Sequence, residues 1–552
     1  MASGTAATSL SASGNAATTA SGRAVVVALP DGQTLRVNLG VEPGTLDPNL
    51  VEFIAEIAVV RQVFEPLLLL DKDLKPIPGA AERWTTSADG LTWTFAIRDH
   101  TYSDGVKVRA QDFEYSFKRI LDPAVAAPYA GYFAGVLKGS AAYNGAAVGT
   151  TAASGAATAK PTVTPDQLKA LRDAVGVHAT NDSTLVFTLE QPAGYFLDLV
   201  SLPCVPPIRQ DLVGAAWTTD VRRYVGNGPF ALVERQPQDH FTFAPNPSYW
   251  GGAPTIGLRY RVITDRTAAF AAYRNGELDV DAPAASILPT IKDDAVLGKE
   301  LHSTPQLAMS WLYVNVKRPP LDNIKFRQAL SQAIDRERFV GDQLKGYGSA
   351  ATYLIPEGMP GYDPSAGSAF AYNLAAAKAS FQAAGIVPAA SKLSILCPSD
   401  AVTIQRLSFL TAMLKQNLGL DVALQPREAK AGTAALQSHD FDLAYSGWGA
   451  DYPDPQDWYD LFRTGDGNNH GQYSNQQYDD LVRRADAQAD VAKRLDLYAQ
   501  AAKILLTDQP ALILYQSVQV ALVKAHVQQY TPTAQDDVAG DYFYKSVTLG
   551  PH

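Results

Sequence analysis

Polar and apolar residues alternate in several short stretches of this chain, and in longer stretches the apolar positions recur at the helical period. Thr34-Leu35-Arg36-Val37-Asn38-Leu39 alternates as a half-buried strand does, and so do Leu91 to Ile97 and Thr184 to Leu189. Asp112, ahead of Phe113, Phe117 and Ile120, predicts an N-cap followed by a helical stripe that Pro123 ends. Lys392 to Leu396 predicts a strand and Asp421 to Leu424 another. Between them Val402 to Leu418 predicts a helix with Ile404, Leu407, Leu410, Leu414 and Leu418 on one face and Gly419 past its end. Strand, helix and strand in that order imply a parallel pair with a right-handed crossover, the unit of an open α/β sheet.

Length and composition set bounds on this picture. The chain has 552 residues, enough for several domains, and at 46% apolar and 18% charged it can build real cores. Met1 to Gly22 is almost wholly Ala, Ser, Gly and Thr without a charge, so a flexible tether is expected at the start, through about residue 32. It lacks the basic start and apolar segment of a signal peptide; either an export signal lies upstream of Met1 or the protein stays in the cytoplasm. Ala146 to Lys160 has the same flavour and predicts a surface loop. The longest apolar run, Val63 to Leu70, is broken by Glu65 and Pro66, too short for a membrane span. Forty-six basic against fifty-six acidic residues leave a formal charge of −10, which offers no basic face to a nucleic acid.

The usual catalytic signatures are missing. Eight scattered histidines and two cysteines, Cys204 and Cys397, form no HExxH or CxxC pattern, so no metal site is predicted. No GxSxG elbow occurs. In Gly341-Asp342-Gln343-Leu344-Lys345-Gly346-Tyr347 a tyrosine stands where a phosphate loop needs lysine. Acidic pairs such as Asp479 and Asp480 read as solvated faces. No catalytic residue and no cofactor is assigned, although a peptidase site converging only in space stays open as an alternative.

One segment is richer: Phe441-Asp442-Leu443-Ala444-Tyr445-Ser446-Gly447-Trp448-Gly449-Ala450-Asp451-Tyr452-Pro453-Asp454-Pro455. A strand from Phe441 to Tyr445 is expected to run into a Gly-Trp-Gly turn, whose glycines permit close backbone approach and unusual φ. A carboxylate beside indole and phenol rings suits a cation. The alternative is that Trp448 is a core residue and Asp451 caps a turn before Pro453.

The body of the chain, from about Thr34 to about Tyr544, resembles the peptide-binding solute receptors of ABC importers, the oligopeptide-, dipeptide- and nickel-binding extracytoplasmic proteins of family 5. The resemblance is carried by Glu42-Pro43-Gly44-Thr45-Leu46-Asp47-Pro48, Val63-Phe64-Glu65-Pro66-Leu67, Ala80-Ala81-Glu82-Arg83-Trp84 and Asp89-Gly90-Leu91-Thr92-Trp93-Thr94-Phe95. Tyr102-Ser103-Asp104-Gly105, Gly226-Asn227-Gly228-Pro229-Phe230, Asn246-Pro247-Ser248-Tyr249-Trp250, Tyr273-Arg274-Asn275-Gly276-Glu277-Leu278-Asp279 and Phe326-Arg327-Gln328-Ala329-Leu330 come next in order.

The resemblance implies an α/β, two-lobed clamp like the periplasmic binding proteins, with an additional domain inserted in the first lobe. Lobe I would comprise residues 33–64, 191–304 and 518–552, the extra domain 65–190, and lobe III 305–517, with two crossing segments as hinge. It implies a monomeric, non-enzymatic receptor that captures an extended peptide and delivers it to the permease subunits of an ABC transporter. It would sit in the periplasm or on the outer face of the cell membrane, held there only by a lipid anchor, for which no lipobox is visible. Asp451 matches the aspartate that pairs with a ligand's α-ammonium; Trp448 and Gly447 match its pocket wall and backbone contact. Val51-Glu52-Phe53-Ile54 aligns with the segment that pairs with the ligand main chain, which implicates Glu52 and Ile54, and Tyr132 is an aromatic contact from the extra domain. The basic groups that meet a peptide's carboxylate in such receptors fall here on Leu436 and Tyr445, with Val402 near the third. Arg406 or Arg427 is left to take that role, or the ligand is a non-peptide solute such as an oligosaccharide, opine or metal chelate.

Overall fold

In the computed structural model, residues 32–147, 162–214, 216–387 and 392–551 are described. All but the last residue of the predicted tether, and most of the predicted loop at Ala146 to Lys160, lie outside them.

Two long strands organise the chain. Leu301–Val314 and Ala511–Val523 run antiparallel, paired from Leu301 with Leu522 to Pro305 with Val518, and again from Met309 with Gln516 to Tyr313 with Ala511. The ladder breaks its register between Pro305 and Met309. Each half of this ribbon serves a different set of neighbours. At the first half, Val280–Asp281 pairs with Val523 and Leu522, and Thr34–Asn38, Gly257–Arg261, His240–Pro245 and Phe230–Gln236 continue outward. At the second half, Leu443–Gly449 pairs with residues 308–314, then Leu393–Pro398 and Val422–Arg427. With Gly348–Ala350 on the other long strand, the described residues form an eleven-stranded mixed sheet that two strands carry from one lobe to the other.

Strand alternation assigns the cores. Leu307, Met309, Trp311 and Tyr313 enter one apolar cluster with Trp458, Tyr459 and Tyr498; Leu312 and Val314, pointing the other way, join Leu407, Leu410 and Leu414. The predicted strand–helix–strand unit is present: Leu393–Pro398 and Val422–Arg427 are parallel, joined through the helix Ala401–Leu418. Asp400 caps that helix by accepting from the Thr403 N–H at 2.9 Å, and Gly419 ends it at φ +72°. A separate antiparallel sheet, Ala81–Thr86, Thr92–Ile97, Thr184–Thr188 and Val177–Asn181, is covered by the helix Ala110–Ile120 through Phe113 and Phe117. Phe95, Phe187 and Phe196 pack there edge to face.

Two local readings need correction. Asp112 is not an N-cap: the helix starts at Ala110, and the Asp112 carboxylate reaches back to accept from the Arg109 N–H at 3.0 Å. The helix also ends at Ile120, short of Pro123. Gly447-Trp448-Gly449 is no turn; the strand runs on through it, with Trp448 opposite Met309. Cys204 and Cys397 are both buried, in different cores. Among the described residues no helix is long and apolar enough to cross a membrane.

Candidate functional site

The strand Leu443–Gly449 is stiffened along its edge by the ladder to residues 308–314, so the chain leaves it from a fixed point. A Cβ on Gly447 would lie 2.5 Å from the Met309 carbonyl oxygen, so glycine is needed there for close approach, not for an unusual φ. The Ala450 N–H closes the end of the strand onto the Leu307 carbonyl at 2.7 Å. Asp451 then leaves the sheet, and Tyr452-Pro453-Asp454-Pro455 turns away.

That turn is fastened on two sides. Arg494, from the helix Val491–Asp508, grips the buried Asp454 carboxylate with both terminal nitrogens, one at 2.6 Å. Tyr452 stacks on Tyr195 at 6.1 Å and meets the Tyr132 ring edge-on at 5.6 Å. Tyr452 thereby joins the core of the other lobe. The short helix Ala130–Phe133 sets Tyr129 and Tyr132 side by side, ring centres 5.5 Å apart, facing the turn.

Asp451 sits where these segments meet. Its Oδ1 accepts from the Tyr129 hydroxyl at 2.7 Å and its Oδ2 from the Tyr132 hydroxyl. Burial pushes this carboxyl above its ordinary range, and the two phenols pull it part of the way back. Burial, reinforced by the neighbouring carboxylate, also pushes both phenols up, so they stay protonated donors. Beside them opens a cavity of about 780 Å³ lined by Glu52, Tyr129, Tyr132, Tyr195, Trp448, Asp451, Tyr452 and Asp457, among others. Its wall also carries Asp460, Asp466 and Asp486 against one guanidinium, Arg463. A space so lined attracts cations and repels anions.

Of the residues that the sequence singles out, Asp451, Trp448, Tyr132 and Glu52 converge on this cavity. Gly447, Ile54 and Tyr445 stand outside its wall. Ile54 opens the helix Ile54–Val63, exposed to solvent. The N–H groups of Glu52 and Phe53 donate to Glu56 Oε2 at 2.9 and 3.1 Å, so those two are already engaged. Tyr445 shares a hydrogen bond with the Tyr515 hydroxyl at 2.6 Å, on the opposite face of its strand from Trp448. Leu436 and Val402, onto which the resemblance puts basic groups, carry apolar side chains. Arg406 stands one helical turn after Val402 with its Nε buried and, among the described residues, unbonded.

Sequence reading missed Tyr129 and Asp457. Tyr129 was findable from its spacing, since a turn of helix places it beside Tyr132. Asp457 carried no signal, because only the fold of the turn brings it under Trp448, whose Nε1 donates to Asp457 Oδ2 at 3.0 Å.

Residues 75–470 match the family model described as "Bacterial extracellular solute-binding proteins, family 5 Middle". The chain is 30% identical over 502 residues to the oligopeptide-binding protein OppA of Bacillus subtilis, covering 87% of each. In structure it is similar to the Escherichia coli murein tripeptide binding protein MppA, with a TM-score of 0.76, 27% identity, and coverage of 95% of this chain and 100% of that one. It is similar also to Haemophilus influenzae OppA in complex with the peptide RPPGFSPFR, with a TM-score of 0.71, 26% identity, and coverage of 95% and 100%. Two lobes joined by a shared ribbon, an inserted domain, and an acidic cavity where they meet are thus features of a binding protein fold: the chain belongs to the bacterial extracellular solute-binding proteins of family 5.

Proposed function

We propose that this protein captures extended peptides between its lobes, outside the cytoplasm, and delivers them as a monomer to the permease of an ABC importer. The similarity to OppA and to MppA supports peptides as the solute class. One observation carries the reading to a residue: the half-buried Asp451 carboxylate borders the cavity and, among the described residues, receives side-chain hydrogen bonds from two neutral hydroxyls and from no cation. A ligand's α-ammonium brings three donors and the missing positive charge. Trp448 and the tyrosines supply ring faces beside it. Closure of the lobes is favoured to the extent that a ligand touches both.

The test compares peptides with free and acetylated amino termini on the original protein and on Asp451→Ala. Loss of one partner of a desolvated ion pair costs roughly 3–5 kcal/mol, a factor of about a hundred to several thousand in Kd. Free peptides should lose that much on the variant, and acetylated peptides should bind poorly to the original. Equal binding of both peptide forms by the original protein excludes the ammonium anchor. Mass spectrometry of whatever occupies the purified protein separates a ladder of peptides from a single sugar, opine or metal complex.

A further inference from the structure

Asp457 lies six positions past Asp451, at the start of the helix Gln456–Tyr459, and is 3% exposed. Three contacts tie it to the residues above. Its Oδ2 accepts from Trp448 Nε1 and from the backbone N–H of Asp451, both at 3.0 Å. Its Oδ1 stands 3.4 Å from the Tyr132 hydroxyl, the same hydroxyl that donates to Asp451. One carboxylate therefore orients the indole, fixes the backbone from which Asp451 projects, and shares a proton donor with it.

The donors on this pair are all neutral. Around it, each nearby cation is committed elsewhere. Arg463 bonds Asp460 at 2.9 Å and lies 3.6 Å from Asp486; Arg61 bonds Asp537 at 2.7 Å and Asp541 at 2.5 Å; Arg494 holds Asp454. The remaining titratable groups that face the pair are Glu52 across the cavity, Asp466, the Cys204 thiol and the phenols of Tyr129, Tyr195 and Tyr452. None of these brings positive charge. A buried carboxylate and a half-buried one that share a hydroxyl, with no cation between them, cannot both ionise at ordinary cost. Burial first, and the Asp451 charge second, push the Asp457 carboxyl well above the usual range.

We infer that Asp457 is a positioning residue of the ammonium site and that it and Asp451 together hold one proton when the cavity is empty, which an entering ammonium displaces to solvent. The inference rests on the reading of Asp451 as the ammonium anchor. Charge balances without a further reagent: one cation enters the pair and one proton leaves it. Asp457→Asn keeps an oxygen for Trp448 and for the Asp451 N–H while removing the charge, so it separates orientation from titration.

The probes are a defined pool of unmodified tetrapeptides and the same pool N-acetylated, with binding followed by thermal shift from about pH 5 to pH 7. One displaced proton makes affinity for the unmodified pool rise by up to about tenfold per pH unit, and Asp457→Asn should flatten that slope. The original protein, mixed with the unmodified pool in weakly buffered solution at about pH 6, should release close to one proton per bound peptide to an indicator dye. This second measurement needs no variant and stands even if Asp457→Asn fails to fold. An equal slope in both proteins, or no proton released, overturns the inference while leaving the Asp451 anchor in place. Equal binding of the acetylated and unmodified pools, or binding of neither, overturns the anchor and the inference with it.

Discussion

Gly447 and Gly449 flank the same tryptophan and do different work. A methyl on Gly447 meets the Met309 carbonyl at 2.5 Å and the Ser310 hydroxyl at 3.3 Å, whereas on Gly449 the nearest atom is the Ala308 Cβ at 3.9 Å. Gly447→Ala must prise two strands apart, and we expect a loss of roughly 1–3 kcal/mol in stability. Gly449→Ala should stay within about 0.5 kcal/mol of the original. Denaturant midpoints measured on both settle it: equal effects remove the close-approach argument. The sequence announced small residues around Trp448; which carbonyl they accommodate depended on a strand more than a hundred positions away.

Among the elements, the turn Tyr452–Pro455 carries the chain from the end of one lobe's strand into the aromatic core of the other. It is held from behind by Arg494 on Asp454, a pair buried on both sides, and in front by the Tyr132 and Tyr195 rings. Arg494→Ala leaves a buried carboxylate unpaired, at a cost of roughly 3–5 kcal/mol. Because Asp451 opens the same turn, peptide affinity should fall along with stability. Asp454→Asn with Arg494→Met removes both charges and should regain a large part of the stability. A double variant as unstable as the single one would show that the ion pair is not what holds the turn. The prolines at 453 and 455 signalled a rigid loop in the sequence. Its two fastenings did not show, since Tyr195 and Arg494 belong to segments far from it.

At the scale of the molecule, buried acids shape the response to pH. Burial pushes Asp486 up to about 8 and Asp536 up to about 6, from an ordinary value of 3.8. In that interval the folded protein binds more protons than the unfolded chain, so as far as these groups decide it stability is greatest below about pH 4 and is lost as pH climbs from there, up to about 6 for Asp536 and about 8 for Asp486. Thermal unfolding of the empty protein should therefore give a higher Tm at about pH 5 than at about pH 8. A Tm that rises over that range would mean that these acids ionise freely in the native state. The stabilisation by unmodified peptides runs the other way, growing with pH, so the two effects are separable in one set of melts. The long ribbon of Leu301–Val314 and Ala511–Val523 also acts at this scale: its register break at 305–309 falls where one lobe's pairing gives way to the other's, a natural place for the lobes to swing.

Alternation and helical periodicity by themselves determined the α/β class and the strand–helix–strand unit of Lys392 to Leu396, Val402 to Leu418 and Asp421 to Leu424, because those depend on residues a few positions apart. Ordered short motifs marked the family and pointed to Asp451, Trp448, Tyr132 and Glu52. Tertiary structure alone decided that Gly447–Gly449 continues a strand, that Ile54 and Tyr445 lie off the cavity wall, and that Asp457 shares a hydroxyl with Asp451. The physical reason is common to all three: hydrogen-bond partners and burial are fixed by segments that meet only after the lobes have folded, and a carboxylate's charge depends on who those partners are.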